Sequence, residues 1–544
     1  MSELSKQELE KIYHKISPFE FKEELIALAH SNKEVTKLLD AGRGNPNWTA
    51  ATPRQAFFTF GQFAVGETQR TWCEGDLAGM AKKEGIAKRL ETYLIENEKV
   101  PGTELIKCIV DYGVTTLGFQ ADAWVYELTD GIIGDNYPFP DRALIHIEQV
   151  IRTYLLKVLC SKTETQGKFD VFNVEGGAAA MCYLFDSLFQ NHLLHKGDKI
   201  ALMTPIFTPY LEIPHLPNYE FEVIQIHANG CDEKGNPTYQ YSEEEIDKLK
   251  DQDIKVLFIV NPNNPVSVAM SCECKEYLIH TIKEHHPKLM VVTDDVYGTF
   301  VEDFSSLVGE LPYNTLCVYS LSKYFGVTGW RLGAIMLHEE NVFNELIGEL
   351  PMKFKESINK RYEHLCTEPE EVSFIDRIVA DSRQVALNHT AGLSTPQQVQ
   401  MAFFCAFDLL DEKSQYQKLT MSICKERKEL LFEGMKVPLS EDKLDACYYT
   451  EVNILEWAFR EYGEAFTEYI ESQYTLLDIL YDLAHDHGII LLRADGFGSS
   501  KWGLRVSLAN LENEEYYAIG KVLREIFMII ACEWQDEKGL SLTS

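Results

Sequence analysis

The sequence predicts an α/β protein built on a mostly parallel sheet with helices on both faces, and three observations carry that expectation. Short β-branched runs recur from about residue 130 onward, notably KIALMTPIF near 199, IKVLFIVNPNNP near 254, LMVVTDDVYG near 289 and TLCVYSLSK near 315. Helical stretches separate these runs, and strands that alternate with helices are joined by crossovers that set them parallel and bury both faces of their sheet. The third observation is length: 544 residues, at roughly 100 to 200 per domain, leave room for two or three domains that each bury a core.

Taken in order, residues 1–130 are expected to form a helical N-terminal region. SKQELEKIYHKI and FKEELIALAH carry apolar residues at three- and four-residue steps, and Pro18 separates them. The glycine-rich AGRGNPNW interrupts this region near 41–48. Residues 131–420 are expected to hold the large domain, including a charged helical insertion near 337–390. Residues 421–544 read as a smaller α+β domain that ends with LLRADGFG and the alternating GLRVSLANL. No internal repeat or flexible linker separates these parts, so they are expected to pack tightly.

Composition narrows the function. Hydrophobic residues make up 45% and charged residues 25%, a globular mix. Fifty-one Lys+Arg against 84 Asp+Glu give a net charge of -33, which repels phosphate backbones and anionic lipids, so neither nucleic acid nor membrane is an expected partner. MSELSKQELEK has no apolar signal core, and no later stretch approaches the roughly 18 apolar residues of a membrane span, so a cytoplasmic location is expected. The 13 cysteines contain no CxxC pair, Cys272 and Cys274 being the closest, and read as reduced thiols with no metal site.

Ligands of open α/β sheets bind beyond the carboxyl ends of the strands, so the polar residues after each β run are where chemistry is sought. After VFNV come Glu175, Gly176, Gly177 and Ala178, opening an apolar helix whose bare N–H groups suit a phosphate. After VLFIV, the two prolines of NPNNP hold the backbone and aim Asn264 outward as a neutral donor. Asp294 follows VVTD with Tyr297 three residues on, a carboxylate that can pair with a protonated ring nitrogen beside a phenol that donates. Lys323 follows TLCVYSLS, and a lysine at a buried strand end can lose its proton to desolvation and become a nucleophilic amine. Ser320, Ser322 and Arg331 add anion contacts around it. Singly, each also reads as a tight turn, a loop, a strand-capping aspartate or a solvated lysine.

Together and in this order, GGA, NPxNP, DxxY, SxSK and an arginine eight residues past the lysine resemble the fold-type I pyridoxal-5'-phosphate enzymes, specifically the aspartate aminotransferase superfamily. The resemblance runs from about Ala41 to Asn510. It implies the fold of that superfamily, a large domain with a seven-stranded, mostly parallel sheet beside a smaller α+β domain, and pyridoxal 5'-phosphate as cofactor. Lys323 then matches the lysine that bonds covalently to the cofactor, and Asp294 the partner of its ring nitrogen. Tyr297 and Asn264 match the residues on its phenolic oxygen. Phe207 in TPIFTPY resembles the stacking aromatic, and Gly176, Gly177, Ala178, Ser320, Ser322 and Arg331 the phosphate cup. Tyr137 in GDNYPFPDR resembles the tyrosine that reaches the phosphate of a neighbouring subunit, which implies a homodimer with shared sites. Arg505 in GLRVSLA resembles the arginine that grips the substrate α-carboxylate, Asn264 adds to the substrate contacts, and Gly44 matches the small residue of the substrate-facing loop.

The chain also departs from ordinary aminotransferases, in its length, in NPNNPVS, in its N-terminal region and in the insertion after Leu337. With GRGNPNW, GDNYPFPDR and SKYFGVTGWRLG these departures resemble the aspartate 4-decarboxylases, a branch of that superfamily that converts L-aspartate to L-alanine and carbon dioxide. The resemblance implies some aminotransferase activity beside decarboxylation and an assembly larger than a dimer. Recognition of a dicarboxylate calls for a light cationic contact to the second carboxylate. Arg43, between Gly42 and Gly44, is the first candidate, ahead of Lys22, Arg377 and Arg383. A plain aspartate or aromatic aminotransferase is the alternative enzyme. A regulatory sensor is a further alternative, although residues 1–120 offer no basic recognition helix.

Overall fold

The structure, a computed structural model, describes residues 16–538 apart from 138–141, 161–166, 234, 386, 388, 389 and 440. The helix expected over SKQELEKIYHKI thus lies almost wholly outside the described residues. Seven strands form the large sheet: β1 (Phe169–Val174), β2 (Lys199–Thr204), β3 (Glu222–His227), β4 (Ile254–Val260), β5 (Met290–Asp294), β6 (Thr315–Ser320) and β7 (Gly333–His338). Their spatial order is β1-β7-β6-β5-β4-β2-β3, and β7 alone runs antiparallel to its neighbours.

Successive side chains of a strand point to opposite faces, and here both faces are covered. In β6, Leu316 and Val318 pack with Phe172, Phe258 and Ile335 on one face, under the helix α1 (Gly177–Gln190) and the helices of the insertion. Cys317 and Tyr319 pack with Val171, Ala334 and Met336 on the other, under the helices between Ala51 and Cys160. Each buried Val, Leu, Ile or Phe stabilises by about 1.5 to 3 kcal/mol. A one-residue slip would exchange the two faces, so this alternation also fixes the register that brings the strand ends level.

The smaller sheet has β8 (Tyr449–Asn453), β9 (Leu492–Arg493) and β10 (Gly503–Ser507), antiparallel in the order β8-β10-β9. Its core takes Leu480, Leu483, Leu504, Val506 and Phe527 together with Phe21, Leu25, Ala29 and Ala41. The helix Pro18–Ser31 starts on Pro18, whose fixed φ suits the first turn, carries Glu20 in that turn, and buries Phe21, Leu25 and Ala29 at four-residue steps. The helical region read over 1–130 therefore divides: residues near 18–41 share the C-terminal core, whereas the helices from Ala51 onward pack on the large sheet. The insertion near 337–390 contains the helices Val342–Glu349, Met352–Tyr362 and Phe374–Ser382. None of the 13 cysteines is in a disulfide, and no helix among the described residues is long and apolar enough to cross a membrane.

Candidate active site

The carboxyl ends of β1, β2, β4, β5 and β6 open on one cavity of about 330 Å³. Gly177 and Ala178 reach it from the end of β1, Phe207 from β2, Asn264 from β4, Asp294 and Tyr297 from β5, and Ser320, Ser322 and Lys323 from β6. Arg331 joins them from the turn before β7, and Arg505 enters from β10 of the small sheet. The motifs spread in sequence from Gly177 to Lys323 thus meet because parallel strands deliver their carboxyl ends to one edge.

The lysine is held from a distant loop. Lys323 Nζ donates to the Gly44 carbonyl at 2.9 Å, and the Tyr448 hydroxyl donates to the same oxygen at 2.8 Å. A Cβ on Gly44 would stand 2.6 Å from the Tyr449 hydroxyl and 2.9 Å from Lys323 Nζ, so only glycine lets this backbone come so near. The loop is stitched to the small sheet: the Ser507 N–H donates to the Ala41 carbonyl at 2.8 Å and the Asn47 N–H to the Ala509 carbonyl at 2.8 Å.

Asp294 is buried at the end of β5 and accepts from the Tyr210 hydroxyl at 3.3 Å and from the Val296 N–H at 3.4 Å. Burial, with Asp295 adding repulsion, pushes its carboxyl up to about 7. An ionised Asp294 is therefore suited to a cationic partner inside the cavity. Asp295 points elsewhere, taking hydrogen bonds from Thr293 at 2.7 Å and Ser306 at 2.5 Å.

At the other end, the structure builds an anion site. The N–H groups at the start of α1 face the cavity beside the linked hydroxyls of Ser320 and Ser322, 2.9 Å apart. Arg331, in the left-handed region at φ 55°, donates to the Thr328 carbonyl at 2.9 Å and to Glu175 at 3.1 Å. Gly176, at φ 88°, does not line the cavity but leaves the space in which the Arg331 guanidinium lies, since a Cβ there would collide with it.

Arg505 is buried in an aromatic box, with its guanidinium 4.3 Å from the Tyr449 ring, 4.9 Å from Phe497 and 5.7 Å from Phe19. It donates to the Gly42 carbonyl at 2.7 Å and to Asn264 Oδ1 at 3.4 Å, while its Nε has no partner among the described residues. A desolvated guanidinium with an unmet N–H is a receptor for a carboxylate. The Tyr297 hydroxyl donates to the Tyr449 hydroxyl at 3.1 Å. Burial and Tyr449 push the Tyr297 phenol up, whereas at Tyr449 the Lys323 and Arg505 charges outweigh burial and hold the phenol below its ordinary value.

The structure differs from the sequence expectation at the cations meant for a second carboxylate. Arg43 stands beside the cavity, outside its lining, because its Nε donates to Asp40 at 2.8 Å. Lys22 approaches the same carboxylate at 3.6 Å. Arg377 is buried in the insertion, donating to the Val372 and Pro369 carbonyls and to Asn191, and Arg383 caps the same helix; neither lines the cavity. Tyr137 is 81% exposed and also lies outside the lining. Sequence reading missed Phe19, Asn45, Thr328 and Tyr449. No motif marked Phe19, just ahead of the periodic run FKEELIALAH, or Tyr449, although the latter's place on a strand opposite the GLRVS strand was a usable signal.

Residues 172–519 match the family model described as aminotransferase class I and II. A Pseudomonas protein named bifunctional aspartate aminotransferase and L-aspartate beta-decarboxylase is 44% identical over 94% of this chain and 96% of its own. Among solved structures, Bna3p of Saccharomyces cerevisiae, a putative kynurenine aminotransferase, superposes with a TM-score of 0.57 at 15% identity, covering 97% of this chain and all of its own. A Thermus thermophilus aspartate aminotransferase double mutant gives 0.56 at 14% identity over 97% of this chain and 100% of its own. These likenesses show the shared fold.

Proposed function

The chain belongs to the aminotransferase class I and II family, and from that premise we propose that it removes the β-carboxylate of L-aspartate, giving L-alanine and carbon dioxide, and transfers the aspartate amino group as a second activity. The observation that carries the reading is the meeting of Lys323, Asp294, Arg331 and Arg505 on one cavity, in a chain alike over nearly its whole length to a protein named for both activities.

Pyridoxal 5'-phosphate is the family's cofactor, and the cavity fits it. The buried Asp294, raised to about 7, suits a protonated ring nitrogen, and the α1 N-terminus with Ser320, Ser322 and Arg331 suits a phosphate. Bound there, the cofactor would supply an aldehyde carbon that condenses with amines and a protonated ring that accepts electron pairs. The chain supplies the rest. Lys323 Nζ, steadied by Gly44, exchanges with the substrate amine and moves the proton at the α-carbon. Arg505 binds the α-carboxylate through its unmet N–H, and Phe19, Phe497 and Tyr449 exclude water around that contact. Asn264 would donate to the ring's oxygen, Tyr297 would accompany it on releasing its bond to Tyr449, and Phe207 would lie against the ring's face.

Arg43 steadies the second carboxylate from the rim beside Gly44. Its test is the ratio of alanine formed to amino groups transferred, which Arg43→Ala lowers; an unchanged ratio removes Arg43 from the substrate site. The exposed Tyr137 reaches the phosphate of a neighbouring copy, so the working unit is at least a homodimer. Thiols outside any disulfide support a cytoplasmic location. Incubation with aspartate and pyridoxal phosphate, without a keto-acid acceptor, tests the whole reading: alanine and carbon dioxide in equal amounts support it. Dependence on an acceptor would reduce the chain to a plain aspartate or aromatic aminotransferase.

A further inference from the structure

Decarboxylation makes a demand that amino transfer does not. When carbon dioxide leaves, the carbon left behind keeps the electron pair of the broken bond and must take up a proton, whereas transfer of an amino group has no net proton requirement. Lys323 is already engaged with the α-carbon and with amine exchange. A second acid inside the cavity is therefore needed.

Tyr449 occupies the place such an acid requires. Its ring lies 4.3 Å from the Arg505 guanidinium, the group that holds one end of the substrate, and its hydroxyl accepts from Tyr297 at 3.1 Å. Gly44 separates that hydroxyl from Lys323 Nζ by the space of one absent methyl group. The groups that face the phenol are Lys323, Arg505, Tyr297 and Tyr448, with Asp294 across the cavity. Its near charges are thus cations. Cations stabilise a phenolate, and against the opposing effect of burial they bring the phenol below its ordinary value, which makes it a stronger acid where one is wanted.

Resting on the function proposed above, we propose that Tyr449 is a catalytic residue, the proton donor to the carbon from which the carboxylate departs. The bond from the β-carbon to its carboxylate breaks, carbon dioxide leaves, and the remaining electron pair forms a C–H bond with the proton of the Tyr449 hydroxyl. The phenolate so formed is held between Lys323 and Arg505. It recovers a proton from water that enters as the product leaves, so each turnover consumes one proton from solvent.

The test uses the cofactor-loaded Tyr449→Phe enzyme, which keeps the ring against Arg505 and loses only the hydroxyl. Alanine formation is expected to fall at least about 100-fold, the scale a general acid contributes, and amino transfer to a keto acid far less. In the cofactor-free protein, the ultraviolet tyrosinate titration of the parent minus that of the variant is expected to show one ionisation below the ordinary phenol value of about 10. Equal losses in both activities, or no such ionisation, overturn the role. Should Tyr449→Phe fail to fold, a fluorotyrosine at 449 retains the ring and hydroxyl with a more acidic phenol. The high-pH limb of the ratio of the two activities must then move to lower pH, and a limb that stays in place overturns the proposal. A parent that forms no alanine overturns the proposed function and this role with it. A parent that forms alanine, with an unchanged ratio in Tyr449→Phe, overturns this role alone.

Discussion

Gly44 and Lys323 stand 279 positions apart in the chain and meet through one hydrogen bond of 2.9 Å, from the lysine Nζ to the glycine carbonyl. The same loop offers the Gly42 carbonyl to Arg505 at 2.7 Å. One short segment thus holds the group that exchanges with the substrate amine and the group that receives its carboxylate. Their separation is set by backbone geometry rather than by flexible side chains.

Gly44→Ala is accordingly expected to lower both activities about 100-fold, the scale of a roughly 1 Å misplacement of reacting groups. The added methyl would press on the ends of Lys323 and Tyr449, both in the cavity, while the cores stay intact. Steady-state rates beside a thermal melt check this. A variant as active as the parent would show that the approach of the loop is unimportant.

Lys323→Ala is expected to abolish turnover, because no other amine lines the cavity among the described residues. Borohydride reduction of the loaded parent followed by peptide mapping should place the cofactor on Lys323. A label on another lysine would refute the assignment.

Arg505→Ala is expected to weaken aspartate binding by about 2 to 5 kcal/mol, the cost of losing a desolvated charged contact, with little effect on cofactor binding. Cofactor absorbance followed during titrations with each ligand separates the two affinities. Equal loss of both would contradict a carboxylate-binding role.

Asp294 makes a pH prediction. Its folded value of about 7 exceeds the ordinary 3.8, so the folded, cofactor-free chain binds this proton more tightly than the unfolded chain does. The resulting stabilisation is complete below about pH 4 and is lost as pH rises through about 7. Asp295, at about 6, and Glu451, at about 7, act in the same direction, so the variant isolates Asp294. The melting temperature of the cofactor-free parent should fall more steeply between pH 5 and 8 than that of Asp294→Asn. Parallel slopes would show that Asp294 is not proton-linked to folding.

Much of this was legible in sequence because parallel strands carry their chemistry at their ends. Each β run near 199, 254, 289 and 315 is a strand, and residues at or within a few positions of its carboxyl end line the cavity. What escaped was contributed by contacts that no local pattern encodes. Phe19 and Tyr449 reach the cavity from the first turn of a helix and the first residue of a strand, whose neighbours are set by tertiary packing. Arg43 shows the opposite case: its place between two glycines suggested a lining cation, but Asp40, three residues earlier and nearly buried, takes its Nε and holds it at the rim. Arg377, a later candidate for the second carboxylate in the charged insertion, is instead enclosed by carbonyls and the Tyr362 ring.

The central claim is that these residues remove a carboxylate from aspartate without needing an acceptor. The most direct measurement is a single incubation of the purified chain with pyridoxal phosphate and L-aspartate in deuterium oxide, with no keto acid present, followed by analysis of carbon dioxide and of the product amino acid. The account predicts carbon dioxide and alanine in equal amounts, with solvent deuterium in the alanine methyl group. Aspartate that is consumed only when a keto acid is added, with no carbon dioxide beyond the blank, would contradict it.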